Sequence, residues 1–211
     1  MRKEFEIFLQ ERLQRPLPGH AAHQKLMAHR KAYEEMDLEK VKPRKSAVLL
    51  LLYPKQGEWH TVFIERPKYK GVHSGQIALP GGKHELVDLN LEQTALREAE
   101  EELAIRATEV KVVGKLSSLY VPPSNFVIEP YVGFHQQQPR FKAEPMEVAS
   151  VIEVPLTDLI GEDKISSKVL TLANKLRYEA LGYPVKHHLI WGATGMMIKE
   201  FTEVIEDFYT T

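Results

Sequence analysis

An α/β/α sandwich around a mixed β-sheet, with an N-terminal helical extension, is the fold this chain predicts. Three observations carry that expectation. Ser46 to Tyr53 is an apolar run of strand length, followed by a turn and a returning strand. A helix opening at Asn90 has one apolar stripe, Leu91, Ala95, Leu96, Ala99 and Leu103, suited to packing on a sheet. Further strand-length runs follow, and a second amphipathic helix closes the chain. Strand–helix–strand order with a terminal helix is the pattern of layered α/β architecture.

Taken in order, Phe5, Phe8, Leu9 and Leu13 have helical spacing, and Pro16-Leu17-Pro18-Gly19 ends that helix. Residues 20–36 predict another helix through Ala22, Leu26 and Met27, before a turn near Pro43. The strand from Ser46 to Tyr53 reaches a turn at Pro54-Lys55-Gln56-Gly57, and Trp59 to Arg66 returns as its hairpin partner. Asn90, with Gln93 three residues on, supplies a capping-box-like start for the next helix. Glu109 to Leu116, Asn125 to Phe134 and Val148 to Val154 predict three more strands, and Pro155 to Ile160 a short helix. Lys164 to Leu172 and Tyr183 to Ile190 predict a late hairpin. The closing helix runs from about Thr194 to Tyr209, with Ile198, Phe201, Ile205 and Phe208 facing inward. Residues 1–43 are thus expected as the helical extension and residues 44–211 as the main domain.

Composition sets outer bounds. A chain of 211 residues, 43% hydrophobic, can bury a full core. A formal charge of −1 and a pI near 6.8 leave no basic footprint for nucleic acid. The absence of cysteine excludes disulfides, thiolate metal sites and cysteine nucleophiles. The N-terminal MRKEFEIFLQER lacks a signal-peptide core, and no apolar run approaches the ~20 residues that span a bilayer. A soluble cytoplasmic protein without membrane partners is the expectation.

Glu98, Glu101 and Glu102 crowd the last turns of the helix that opens at Asn90. Carboxylates there oppose the helix macrodipole, which favours cations at that end. At about 100° per residue the three fall within an arc of roughly 100°. Three clustered carboxylates repel unless a cation neutralises them, and Mg²⁺ or Mn²⁺ takes oxygen ligands. Arg97, four residues before Glu101, is placed to hold that carboxylate. An ordinary solvated helix face has the same pattern, and the segment alone does not separate the two.

The stretch from Gly82 to Ile105 resembles the Nudix box, G-x5-E-x7-R-E-U-x-E-E-x-G-U with U aliphatic. Gly82 matches the opening glycine, and Arg97-Glu98-Ala99-Glu100-Glu101-Glu102-Leu103 matches the central run. Asp88 stands where the first Glu belongs, Arg97 comes one residue late, and Ala104 replaces the late Gly. Upstream, Arg66, Gly75, Pro80, Gly81 and Gly82 are similar to the signature of the coenzyme A diphosphatase branch, from which Pro67, Gly71 and Leu79 depart.

The resemblance implies a Nudix-like sandwich and a metal-dependent hydrolase of a diphosphate linkage in a nucleotide derivative. Coenzyme A, split to 4′-phosphopantetheine and adenosine 3′,5′-bisphosphate, is the implied substrate. Glu98, Glu101 and Glu102 are then the metal ligands, joined by a backbone carbonyl near Gly82, with Mg²⁺ or Mn²⁺ as cofactor. Arg97 orients the carboxylates. Glu147 is the expected base, with Glu144 close behind, though either also reads as a plain surface carboxylate. Arg66, Lys68 and Lys70 are candidates for the substrate phosphates, and the two lysines read equally well as a charged loop. Tyr120 or Phe126 could stack on adenine, with core packing the blander reading. His187-His188, read as adjacent strand residues facing opposite sides, make poor joint ligands. The expected partners are a small-molecule nucleotide and, since relatives are often dimers, a second copy of the chain. Two alternatives stay open: hydrolysis of ADP-ribose or another nucleotide, and a non-catalytic binding or regulatory domain. A prenyl diphosphate isomerase ranks below both, because those relatives use a cysteine.

Overall fold

Strand β1 organises the molecule by contributing to two separate cores. In the computed structural model, which describes residues 2–27, 41–68, 74–171 and 177–210, the first elements are α1 (Arg2–Arg12), α2 (His20–Gln24), β1 (Arg44–Lys55) and β2 (Glu58–Glu65). Then come β3 (Ile77–Ala78), β4 (Gly81–Lys83), α3 (Leu91–Leu103), β5 (Val110–Lys115), β6 (Leu119–Val121) and β7 (Phe126–His135). The chain continues through β8 (Ser150–Pro155), β9 (Ser166–Thr171), β10 (Arg177–Val185), β11 (His188–Trp191) and α4 (Gly192–Thr210). Val48, Leu50 and Leu52 enter one core, whereas Ala47, Leu49, Leu51 and Tyr53 enter the other. A strand covered on both faces has no polar side to show, which is why its sequence is an unbroken apolar run rather than an alternating one.

The sheet is mixed. β7 runs parallel to β1, from Arg44↔Phe126 to Leu52↔Phe134, and the other pairings are antiparallel. The β1–β2 hairpin turns at Gln56-Gly57, both with positive φ (52° and 87°), the mirror-image geometry that matches strand twist. β2 accompanies β1 only from Leu52 onward; nearer the start of β1, β4 takes its place, from Ser46↔Lys83 to Val48↔Gly81. This handover opens a seam in the sheet, and β3 fills it by pairing with the end of β2 at Ile64↔Ala78. β8 covers the other edge of β2.

α3 lies on one face, burying Ala95, Ala99 and Leu103 against Ala47, Leu49, Leu51, Val62 and Ile64. α1 and α4 lie on the other, where Phe5 and Leu9 join Ile198, Phe201, Val204 and Ile205. The three-layer expectation therefore holds, with α1 built into the core. No described helix is long and apolar enough to cross a membrane.

Several boundaries differ from the sequence reading. Tyr183 to Ile190 is not one strand: Lys186 (φ 53°) turns the chain, and β10 and β11 pair across it. That turn has no Gly or Asn to mark it. The partner of β9 is instead Arg177 to Gly182, giving a separate three-stranded sheet. His187 consequently sits in the turn and His188 opens β11. The expected helix over 20–36 has described structure only at its start, where α2 ends at Gln24; residues 28–40 lie outside the described residues. The short helix after Pro155 is a single 3-10 turn, Leu156–Asp158.

Candidate active site

Two glycines of β4 bring helix and sheet close together. Gly81 has φ +151°, and a Cβ there would stand 2.4 Å from the Ala47 carbonyl oxygen. A Cβ on Gly82 would stand 2.4 Å from the carboxylate of Glu98. Glycine at 82 therefore lets an α3 carboxylate rest on the strand backbone. Asn90 fixes the start of α3 by accepting from the Gln93 N–H at 2.9 Å, so the phase of the acidic residues is set locally.

Glu102 is buried, and its Oε2 accepts the Gly81 N–H at 2.8 Å. Burial pushes its carboxyl up to about 8, although the Arg66 charge and the Gly81 N–H pull the other way. Arg66 is close because its Nη2 donates to the Gly81 carbonyl at 3.2 Å. Burial also raises the Glu98 carboxyl, against the attraction of Arg97.

Arg97 is the hub. Its Nε donates to Asp88 Oδ1 at 2.8 Å, and its Nη2 to Asp88 Oδ2 at 3.1 Å, the Lys83 carbonyl at 3.1 Å and Glu98 Oε1 at 3.0 Å. Nη1 donates to Glu101 Oε2 at 2.8 Å. The arginine thus bonds both Glu98 and Glu101 and is itself anchored by Asp88, whose carboxyl it keeps well below the usual range.

Glu147 is brought to the same end of α3 by backbone bonding. The last carbonyls of a helix lack intrahelical partners. Here the Lys142 N–H donates to the Leu103 carbonyl and the Glu144 N–H to that of Glu102, both at 3.0 Å. The next turn, closed by Glu147 N–H to Glu144 carbonyl at 3.0 Å, leaves Glu147 exposed and close enough for its charge to raise both Glu98 and Glu102. Glu144, the runner-up, directs its Oε1 toward the Met146 N–H of its own turn, at 3.5 Å.

The other candidates divide. Lys68 is exposed and lies along Gly75, whereas Lys70 lies outside the described residues. One face of Phe126 is covered by the Arg44 guanidinium, 4.1 Å from the ring centroid, and the Tyr120 hydroxyl donates to Asn125 Oδ1 at 3.1 Å. His188 approaches Glu65 at 4.0 Å. Sequence reasoning missed Ser46, whose hydroxyl donates to the Gly82 carbonyl at 2.6 Å. Nothing in a Ser at a strand start announces that role.

Among the described residues, no group of three or more His, Asp or Glu is gathered in a metal-holding arrangement. Arg97 is the cation that Glu98 and Glu101 face, and Glu102 turns toward the Gly81 N–H. The donor chemistry nonetheless fits a hard divalent ion, because every candidate ligand is an oxygen. The Gly82 carbonyl faces β1, where the ladder pairs it with Ala47 and it also accepts the Ser46 hydroxyl. The absence of a side chain at Gly82 leaves the space that the Glu98 carboxylate occupies.

Residues 43–172 match the NUDIX domain family. "Uncharacterized Nudix hydrolase NudL" of Yersinia pestis (strain Pestoides F) is 32% identical over 167 residues, covering 77% of this chain and 80% of that protein. Its namesake from Photorhabdus laumondii is 33% identical over 135 residues, covering 64% and 71%. A solved MutT/nudix family protein from Enterococcus faecalis shares the fold with a TM-score of 0.54 at 18% identity, over 98% of this chain and 75% of that one. The chain belongs to the Nudix family, and it is a Nudix hydrolase. Members of this family act on nucleoside diphosphate derivatives and generally use divalent metal ions.

Proposed function

We propose that this hydrolase cleaves the diphosphate linkage of coenzyme A or a derivative, releasing 4′-phosphopantetheine and adenosine 3′,5′-bisphosphate. The observation that carries this reading is the convergence of the upstream motif on the box. Arg66 bonds the carbonyl of Gly81, whose N–H bonds Glu102. The branch-specific arginine and the acidic helix therefore share one residue as floor.

Glu98, Glu101 and Glu102 would hold Mg²⁺ or Mn²⁺, and the Gly82 carbonyl would join them on giving up the Ser46 hydroxyl. When bound, such an ion screens the phosphates and lowers the pKa of water. The protein's own side chains do the rest. Arg97 keeps Glu98 and Glu101 in place, and Arg66, Lys68 and Lys70 meet the phosphate oxygens. Glu147 takes the proton of the attacking water, on the solvent side of the carboxylates. A helical extension over residues 1–43 ahead of a Nudix domain over 44–211, a cytoplasmic location and a homodimer belong to the same reading, with Phe5 and Leu9 packing the extension onto the sheet core.

The test is a panel of coenzyme A, ADP-ribose, dinucleotides and nucleoside triphosphates with Mg²⁺ or Mn²⁺, products being identified by mass spectrometry. Cleavage of ADP-ribose without coenzyme A would move the substrate assignment, and cleavage of none would favour a binding domain. Glu147→Gln should lower kcat by about 10² or more if it is the base. Unchanged turnover would remove it from the mechanism.

A further inference from the structure

Thr94 is fully buried on α3, yet its hydroxyl touches none of the three acids. It donates to Asp88 Oδ2 at 2.9 Å, a better partner than the Asn90 carbonyl at 3.4 Å. The hydroxyl has one proton, so its lone pairs are left to accept. His84 Nδ1 lies 3.0 Å away, and only a proton on Nδ1 satisfies that contact. The chain of donors thus runs from His84 through Thr94 to Asp88, and Arg97 approaches the same carboxylate from the other side. Asp88 Oδ2 also accepts the Glu85 N–H at 2.9 Å.

The box explains why such a clamp is needed. Asp88 is one methylene shorter than the Glu of the pattern, and the segment before Arg97 is one residue longer. A short carboxylate on a lengthened loop needs local bonds to meet Arg97 squarely, and Thr94 and the Glu85 N–H supply them. Arg97 spends two donors on Asp88, and its remaining geometry decides where Glu98 and Glu101 sit. Loosening Asp88 lets the guanidinium plane turn and disturbs both acids together.

We propose that Thr94, oriented by His84, is a positioning residue that fixes Asp88 and Arg97 and thereby aligns Glu98 and Glu101 for metal binding. This rests on the metal-dependent reading above. Thr94→Val removes the hydroxyl at nearly constant shape, and Thr94→Ser keeps it. In metal-free protein the Arg97 Nε–H resonance should exchange with water roughly 10-fold faster in Thr94→Val and at the wild-type rate in Thr94→Ser. The Mn²⁺ Kd measured by calorimetry should rise about 10-fold in the Val variant and recover in the Ser variant, the usual loss when a ligand's supporting bond is removed. The kcat should fall with little change in KM.

Wild-type exchange and Mn²⁺ affinity in Thr94→Val would overturn the proposal, as would equal losses in both variants. Should Thr94→Val fail to fold, His84→Ala, on a part-exposed side chain, is expected to speed Arg97 exchange in the same direction, and no change there overturns the proposal too. Wild-type protein that takes up no Mn²⁺ would sink the metal-dependent function instead. The exchange of Arg97 in metal-free protein would still decide the role of Thr94.

Discussion

Replacing Glu102 by Gln should make the metal-free protein more stable, and by an amount that grows with pH. Glu102 is 2% exposed, and its burial lifts the carboxyl from 4.5 to about 8. Between those values the folded chain holds a proton that the unfolded chain has lost. Stability therefore falls as pH rises through this window and levels off above 8. Each tenfold in proton affinity is worth about 1.4 kcal/mol, and pH 7 lies roughly 2.5 decades above an ordinary glutamate, so neutrality costs about 3 kcal/mol. A glutamine of the same shape still accepts the Gly81 N–H through its amide oxygen and needs no proton. In EDTA, Glu102→Gln should melt close to wild type at pH 4.5 and about 6–12 °C higher at pH 7. Calorimetric or circular-dichroism melts at three pH values would measure this. Added Mn²⁺ should stabilise the wild type by mass action and close the gap. A difference that is flat across pH 4.5–8, or a variant less stable than wild type at pH 7, would refute the assignment of Glu102 as a carboxylate held in a destabilising place for a cation.

Two further substitutions test the backbone around the site. Gly82→Ala sets a Cβ 2.4 Å from the Glu98 carboxylate, so the side chain must leave; calorimetry should show the Mn²⁺ Kd rising roughly 10-fold or more, and a wild-type Kd would mean Glu98 is no ligand. Ala104 holds φ 57°, a left-handed conformation that costs an L-residue about 1–2 kcal/mol. Ala104→Gly relieves that cost and adds unfolded-chain entropy, leaving a net gain of about 0.5–1 kcal/mol in urea titrations; a loss would show that the Ala104 methyl is needed for packing.

The late Gly of the box is thus a helix stop, and what its replacement by Ala104 costs is legible only once φ is known. Other features were legible in sequence for reasons that are local. The Asn90 cap, the inward stripe of α3 and the alternating contributions of α4 follow from side-chain spacing, which the backbone enforces. The run Ala47 to Tyr53 announced a buried strand because a doubly covered strand must be apolar throughout. What stayed hidden depends on distant partners. β4 is three residues, two of them glycine, and is a strand only because β1 pairs with it after β2 departs. Glu147 reaches the site through the unpaired carbonyls at the end of α3, some forty residues earlier in the chain. Asp88 was readable as standing where the first Glu of the box belongs, whereas its pairing with Arg97 and the bonds of Thr94 and Ser46 needed atomic positions.

Phe5 touches four aromatic rings, Trp59, Phe134, Phe208 and Tyr209, with centroids between 4.9 and 6.0 Å away. Two of those rings, Trp59 and Phe134, lie inside the stretch that matches the family, while Phe5, Phe208 and Tyr209 lie outside it. Trimming the polypeptide to its most recognisable span would therefore strip a wall from the molecule and set an indole and a phenyl ring against water. The part that identifies this hydrolase and the part that can stand alone are different lengths of chain.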